Sequence, residues 1–252
     1  MQYLRLIIRL PSIFLWTTAW WLLRLCLWPT ALFSDPADRR VRQFIARGWA
    51  VGFFPMIGMR LRVRGPKPKH PFFLVCNHLS YIDPWLLNGL IACTFVSRGD
   101  VANWPVIGAI TRSLHVVFIN RRDKRDTARV NQHIDHALKQ GDGLVVFAES
   151  RISRGLSVEP FKSALIQPAV ANQLPIHYAT IIYEGLPGGP PASDYVGWWR
   201  PEPFLYHLFR LLRHKGFIAT VHFGEAPMQG DDRKELARQL HEAVKANYTP
   251  MD

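Results

Sequence analysis

A histidine and an aspartate five residues apart stand where an apolar run stops, in Phe72-Phe73-Leu74-Val75-Cys76-Asn77-His78-Leu79-Ser80-Tyr81-Ile82-Asp83-Pro84. An imidazole oriented by a carboxylate can take a proton from a hydroxyl and hold it. On a straight helix, side chains five apart point about 140° away from each other, because each residue turns about 100°. The pair therefore converges only if His78 lies in a strand-to-helix turn and Asp83 caps the next helix. Its carboxylate would then fold back to the ring, with Pro84 as the first helical residue. The plainer alternative is a loop histidine followed by an ordinary helix cap.

Two further polar stations lie downstream. His115-Val-Val-Phe118-Ile119-Asn120-Arg121-Arg122 is an apolar run emptying into two arginines, which can fork onto a phosphate. Because Asp123 to Asp126 continue the charges, a solvated charge run is the alternative. Leu144-Val-Val-Phe147-Ala-Glu149-Ser150-Arg151-Ile-Ser153-Arg154-Gly155 ends a β-rich run in a carboxylate and a guanidinium, with a surface salt bridge as its plain reading. In α/β folds the ends of such strands line the binding crevice.

The elements that must position these stations alternate short apolar runs with polar helical ones, the α/β pattern. Strands are predicted at 61–63, 72–76, 93–97, 115–120, 144–148, 176–183 and 218–223. Helices are predicted from Asp83, over 126–140 with Gly141 as the stop, over 161–173 with a kink at Pro168, and over 231–247. The expectation is one α/β domain over residues 61–252, a central mixed sheet flanked by helices. A hydrophobic, membrane-associating helical segment precedes it over residues 1–60.

The chain has 252 residues, 48% of them hydrophobic and 12% aromatic, enough for one real core and too apolar for a disordered protein. A formal charge of +12 calls for an anionic partner, and the Arg-studded, Trp-rich apolar segments favour a membrane surface over nucleic acid. No zinc-finger spacing, HExxH or P-loop appears, so neither a metal nor another cofactor is expected. Cys26, Cys76 and Cys93 form no CxxC pair and are read as buried apolar residues in a reducing compartment.

Residues 2–33 are rich in Leu, Ile, Phe and Trp, but Arg5, Arg9 and Arg24 interrupt them, and Pro11 falls between Arg9 and Arg24. A spanning helix wants about twenty apolar residues in a row. A helix or helical hairpin lying in one leaflet suits the pattern, with Trp at headgroup level and Arg snorkelling to phosphates. A single span and a cleaved or soluble segment are the alternatives. Residues 203–215 are also amphipathic and basic, consistent with a surface helix or a membrane-facing one.

In order, these blocks resemble the glycerolipid (lysophospholipid) acyltransferase family, of the 1-acyl-sn-glycerol-3-phosphate acyltransferase type. Its first block, N-H-x-S-x-x-D, is matched in full by residues 77–83, and F-I-x-R is matched by Phe118-Ile119-Asn120-Arg121. Its third, F-P-E-G-T-R, departs here at the Pro and Gly positions and is closer to the variant E-G-R-I-T, with Glu149, Arg151 and Ser153 in register. Phe161-Lys162-Ser-Ala is a degenerate echo of F-K-x-G-A, and Val96-Ser-Arg98-Gly-Asp100 of A-K-x-E-L. The resemblance covers roughly residues 60–225.

It implies transfer of a fatty acyl chain from an acyl-carrier-protein or coenzyme A thioester to a lysophospholipid hydroxyl, lysophosphatidate first and lyso-ornithine lipid as the alternative acceptor. His78 would be the base and Asp83 its orienter. Arg98, Phe118, Asn120, Arg121, Glu149, Ser150 and Arg151 would bind substrate. The place implied is the cytoplasmic face of a membrane, in a bacterium the inner one. A non-catalytic basic lipid-binding protein is the different class, and the absence of a Gly-x-Ser-x-Gly elbow argues against a serine hydrolase.

Overall fold

The computed structural model describes residues 2–98, 117–119, 132, 134 and 136–251, with only the backbone described at 97, 98 and 117–119. Its helices are α1 (Gln2–Cys26), α2 (Thr30–Phe33), α3 (Asp35–Met56), α4 (Asp83–Ile91), α5 (Gln167–Ala171), α6 (Phe204–Arg213) and α7 (Arg233–Ala246). The strands are β1 (Met59–Arg64), β2 (Phe72–Cys76), β3 (Cys93–Arg98), β4 (Val117–Ile119), β5 (Gly143–Phe147), β6 (Ile176–Gly185) and β7 (Phe217–Phe223).

These strands form a sheet in the order β1-β7-β6-β2-β5-β3-β4. Only β6 and β7 pair antiparallel, so the sheet is mixed, as the sequence reading expects. β2 lies at its centre, every residue buried, which is why it reads as an unbroken apolar run. Its side chains alternate between two cores. Phe72, Leu74 and Cys76 join Phe53, Phe54, Leu86 and Leu90 on one face, and Phe73 and Val75 join Ile134, Ile166, Leu236 and Leu240 on the other. Because β2, β5, β3 and β4 run parallel, their carboxyl ends share one edge of the sheet, the edge the three stations require.

Local outcomes differ from expectation in three places. Asp83 does not N-cap α4: it is the first helical residue, and its carboxylate reaches backward to Leu79 N–H and Ser80 N–H. Pro168 does not kink a helix over 161–173. It sits at the start of the short helix α5, where its missing N–H would have no partner anyway, after a separate turn at Ser163–Leu165. Cys26 is exposed, while Cys76 and Cys93 are buried.

The N-terminal helices form an antiparallel pair of their own. α1 runs unbroken through Pro11 for 25 residues. Trp16 and Trp20 lie flat on α3 at Gly52 and Gly48, where a Cβ atom would stand 2.2 Å from each ring. Trp16 Nε1 donates to Trp49 O at 3.0 Å, and Trp49 Nε1 donates to Thr17 Oγ1 at 3.1 Å. These three indoles therefore pack between helices instead of marking a headgroup level, as Trp21 and Trp28, both exposed, remain free to do.

The arginines are corrected too. Arg5 donates to Arg213 O, Arg9 to the carbonyls of Leu212, His214 and Lys215, and Arg24 pairs with buried Asp38 at 2.9 Å. None of the three is left to snorkel, because folded carbonyls accept from Arg5 and Arg9 and Arg24 is turned in against Asp38. Turning inward, they leave an uncharged outer surface on α1, with Leu4, Ile7, Phe14, Leu15 and Leu22 exposed. Residues 2–33 are the one segment among the described residues long and apolar enough to cross a membrane.

Candidate active site

Where β2 leaves the sheet, Asn77 replaces the missing backbone partner. Its Nδ2 donates to Ile181 O at 2.9 Å, and Ile181 N–H donates to its Oδ1 at 2.8 Å. A short amide side chain can stand in for a peptide group in this way. The chain is thus peeled off β6 at a fixed point, and the next residue is His78.

The backbone of His78 is clamped by the turn after β5. His78 N–H donates to Glu149 Oε1 at 2.8 Å, and Ser153 N–H donates to His78 O at 3.0 Å. The Phe147 ring stacks on the imidazole at 4.0 Å and 16°, and Phe95 lies parallel behind Phe147 at 6.0 Å. Ring plane and main chain are therefore both set before any substrate arrives.

Asp83 completes the arrangement. Its side chain is fully buried, and its Oδ2 lies 2.8 Å from His78 Nδ1. The same oxygen accepts from Leu79 N–H at 2.7 Å and Ser80 N–H at 3.0 Å, while Oδ1 accepts from Tyr183 O–H at 2.7 Å. Four contacts use about the full lone-pair capacity of a carboxylate. Because Oδ2 is an acceptor, Nδ1 must carry the proton, which leaves Nε2 as the basic nitrogen. Nε2 has no hydrogen-bond partner among the described residues, and the histidine is partly open to solvent.

Tyr183 carries no local sequence signal: it looks like any aromatic in a buried strand, a hundred residues from its partner. Burial and the adjacent Asp83 push its phenol well above the ordinary range, so it stays a neutral donor. Phe147 was likewise legible only as a core residue.

Glu149 is buried at 2% exposure, its Oε1 on His78 N–H and its Oε2 accepting from Glu159 N–H at 3.2 Å. Burial pushes its carboxyl up to about 7, offset in part by those two N–H groups. Both oxygens thus accept from backbone N–H groups of the site, one of them that of His78. Ser150 follows at φ 68°, the left-handed region, at the position where the family block has glycine. Arg151 is exposed, its Nη2 3.8 Å from Glu159. Glu149, Ser150, Arg151, Glu159, Pro160 and Lys162 line a cleft of about 280 Å³ at the turn after β5.

Of the remaining expected residues, Arg98 ends β3 and Phe118 lies in β4, both strands of the same carboxyl edge. Asn120 and Arg121 lie outside the described residues. Among the described residues no three His, Cys, Asp or Glu side chains cluster as a metal site.

A family model described as Acyltransferase matches residues 60–182. The lyso-ornithine lipid O-acyltransferase of Pseudomonas aeruginosa is 32% identical over 208 residues, covering 81% of this chain and 78% of that one. The 1-acyl-sn-glycerol-3-phosphate acyltransferase of Neisseria gonorrhoeae is 33% identical over 213 residues, covering 82% and 81%. Among solved structures, the 1-acyl-sn-glycerophosphate (LPA) acyltransferase PlsC of Thermotoga maritima superposes with a TM-score of 0.70 at 20% identity, over 98% of this chain and 95% of that one. That likeness is one of fold.

Proposed function

The chain belongs to the acyltransferase family and is an O-acyltransferase; from that premise we propose that it acylates the free hydroxyl of a lysophospholipid-type acceptor from an acyl-carrier-protein or coenzyme A thioester, with His78 as general base. The observation that carries this reading is the Asp83–His78 contact of 2.8 Å on an aspartate already held by two backbone N–H groups and Tyr183. Nε2 takes the acceptor's hydroxyl proton as its oxygen attacks the thioester carbonyl. Asp83 stabilises the imidazolium that forms, and the imidazolium returns the proton to the departing thiolate. An ester bond forms and the thioester bond breaks. The reaction calls for no cofactor.

Lysophosphatidate is the first acceptor. Arg151 and Lys162 line the cleft at the turn after β5, whose Glu149 holds the His78 backbone, and support an anionic headgroup there; Arg98, Asn120 and Arg121 belong to the same proposed set. A lyso-ornithine lipid is the second reading, favoured by relatives of that name at 32% identity. Membrane attachment through the apolar outer face of α1, on the cytoplasmic side, fits a lipid acceptor and a water-soluble donor.

The test is purified, detergent-solubilised protein with a radiolabelled acyl thioester, both lyso-lipids side by side, and His78→Ala as the control. Turnover is expected with one of them and a loss of at least about 10²–10⁴-fold in the variant. Near-normal turnover by His78→Ala would overturn the mechanism. Product from the ornithine acceptor alone would keep the mechanism and change the acceptor.

A further inference from the structure

Helix α6 carries an apolar surface that the chemistry at His78 does not use. Leu205, Tyr206 and Phe209 are exposed at 59%, 62% and 37%, while His207, Leu211 and Leu212 are buried on the other side. The helix cannot roll to hide the exposed strip, because polar contacts fix its orientation. His207 Nε2 donates to Gly197 O at 3.0 Å, so Nδ1 is the acceptor for Tyr81 O–H at 3.1 Å. Burial and nearby Arg210 hold this imidazole down at about 4, keeping it neutral in both contacts. Arg210 in turn forks onto Glu202.

The strip continues onto α1. Arg5 and Arg9 tie the first turns of α1 to the carbonyls at the end of α6, and Arg213 lies 5.3 Å over the ring of Tyr3. Leu4 and Ile7, in those same turns of α1, are exposed as well. The rim is basic. Arg213 ends α6 and Lys215 follows it, both exposed. An apolar strip bordered by arginine and lysine has the chemistry of the boundary between acyl chains and anionic headgroups.

We infer that α6 is a bilayer-contacting element in its own right: Leu205, Tyr206 and Phe209 enter an anionic leaflet beside α1, with Arg213 and Lys215 at its headgroups. The inference rests on the membrane attachment proposed above and adds a surface to it. The opposite face of α6 holds Tyr81 of the His78–Asp83 turn, through His207 and an edge-on contact with Phe204 at 4.9 Å. One helix thus has lipid on one side and the catalytic turn on the other.

The test uses the full chain with Cys26→Ser, since Cys76 and Cys93 are buried. Single cysteines are placed by Leu205→Cys, Phe209→Cys, Leu15→Cys on α1 and Gln239→Cys on the exposed face of α7, and each carries an environment-sensitive fluorophore. Vesicles of phosphatidylglycerol and phosphatidylcholine containing a chain-labelled quencher lipid are then added. Positions 205 and 209 are expected to lose more than half their emission, as position 15 does, while 239 loses little. Quenching at 15 with none at 205 and 209 would overturn the inference and spare the α1 attachment. No quenching at any position would overturn both. As a second measure, Leu205→Ser/Tyr206→Ser/Phe209→Ser is expected to weaken vesicle partitioning by at least about tenfold, with turnover in detergent micelles unchanged. Undiminished partitioning of that folded variant would overturn the inference.

Discussion

Replacing Asp83 by asparagine should separate the geometry of the site from its charge. Oδ2 receives three donors and Oδ1 receives one hydroxyl. An amide placed there has only one low-strain orientation: its oxygen takes the Oδ2 position, and its NH₂ faces Tyr183, whose hydroxyl turns to accept. The imidazole keeps its tautomer and its place, and only the negative charge is gone. Two unit charges about 4 Å apart attract by about 4 kcal/mol at an effective dielectric of 20. In the proposed mechanism that energy stabilises the imidazolium as the hydroxyl proton moves, so its loss should lower kcat about 10³-fold. Neutral hydrogen bonds replace charge-assisted ones, so stability should fall by no more than about 2 kcal/mol. The assay is acyl transfer in detergent with either lyso-lipid, paired with thermal unfolding. A variant within tenfold of the parent kcat would refute the reasoning, because no imidazolium would then form beside Asp83.

Four further outcomes follow from the same contacts. Tyr183→Phe leaves Asp83 Oδ1 buried with its one donor removed, so stability should drop by about 1.5–3 kcal/mol. Because Oδ2 stays anchored, kcat should fall less than in Asp83→Asn; a larger loss would make the hydroxyl the principal orienter. Glu149, pushed up to about 7 by burial, binds its proton more tightly folded than unfolded. Its contribution is therefore full below the unfolded value near 4.5 and fades as pH rises through 7, by about 3 kcal/mol in all. Thermal unfolding from pH 5 to 8 should show that decline in the parent and a flatter profile in Glu149→Gln, and identical slopes would count against it. Ser150→Gly relieves about 1–2 kcal/mol of left-handed strain against about 0.5–1 kcal/mol of added unfolded-state entropy and the contacts of Ser150, so unfolding should shift by no more than about 1 kcal/mol, and a larger drop would count against the strain. Gly52→Ala sets a Cβ against Trp16 and should cost about 1–3 kcal/mol, read as faster limited proteolysis between α1 and α3.

Much of this site was legible in the chain because it is built locally. Asn77, His78 and Asp83 span seven residues, and a strand ending in a polar triplet has few ways to fold back on itself. The strands were legible for a related reason, since buried central strands such as β2 and β5 are continuous apolar runs. What the sequence concealed comes from distance. Tyr183 and Glu149 meet the His78–Asp83 turn across 100 and 71 residues, and neither type nor spacing announces such a contact. Burial also changes what a residue type means. Glu149 reads as a strand-end carboxylate, and the sequence does not show that both its oxygens accept from backbone N–H groups. Arg5 and Arg9 read as surface charges until the end of α6 is seen to accept from them.

Those two arginines also bear on the order of events in the cell. The carbonyls that satisfy Arg9 come from residues 203 to 206 positions later in the chain. While the chain is being made, α1 therefore bears guanidinium groups whose partners do not yet exist, and burying them in hydrocarbon at that stage would be costly. The uncharged outer face of α1 belongs to the finished fold and not to the emerging segment. A lipid-compatible surface of this kind is assembled late, by the far end of the polypeptide closing onto the near one.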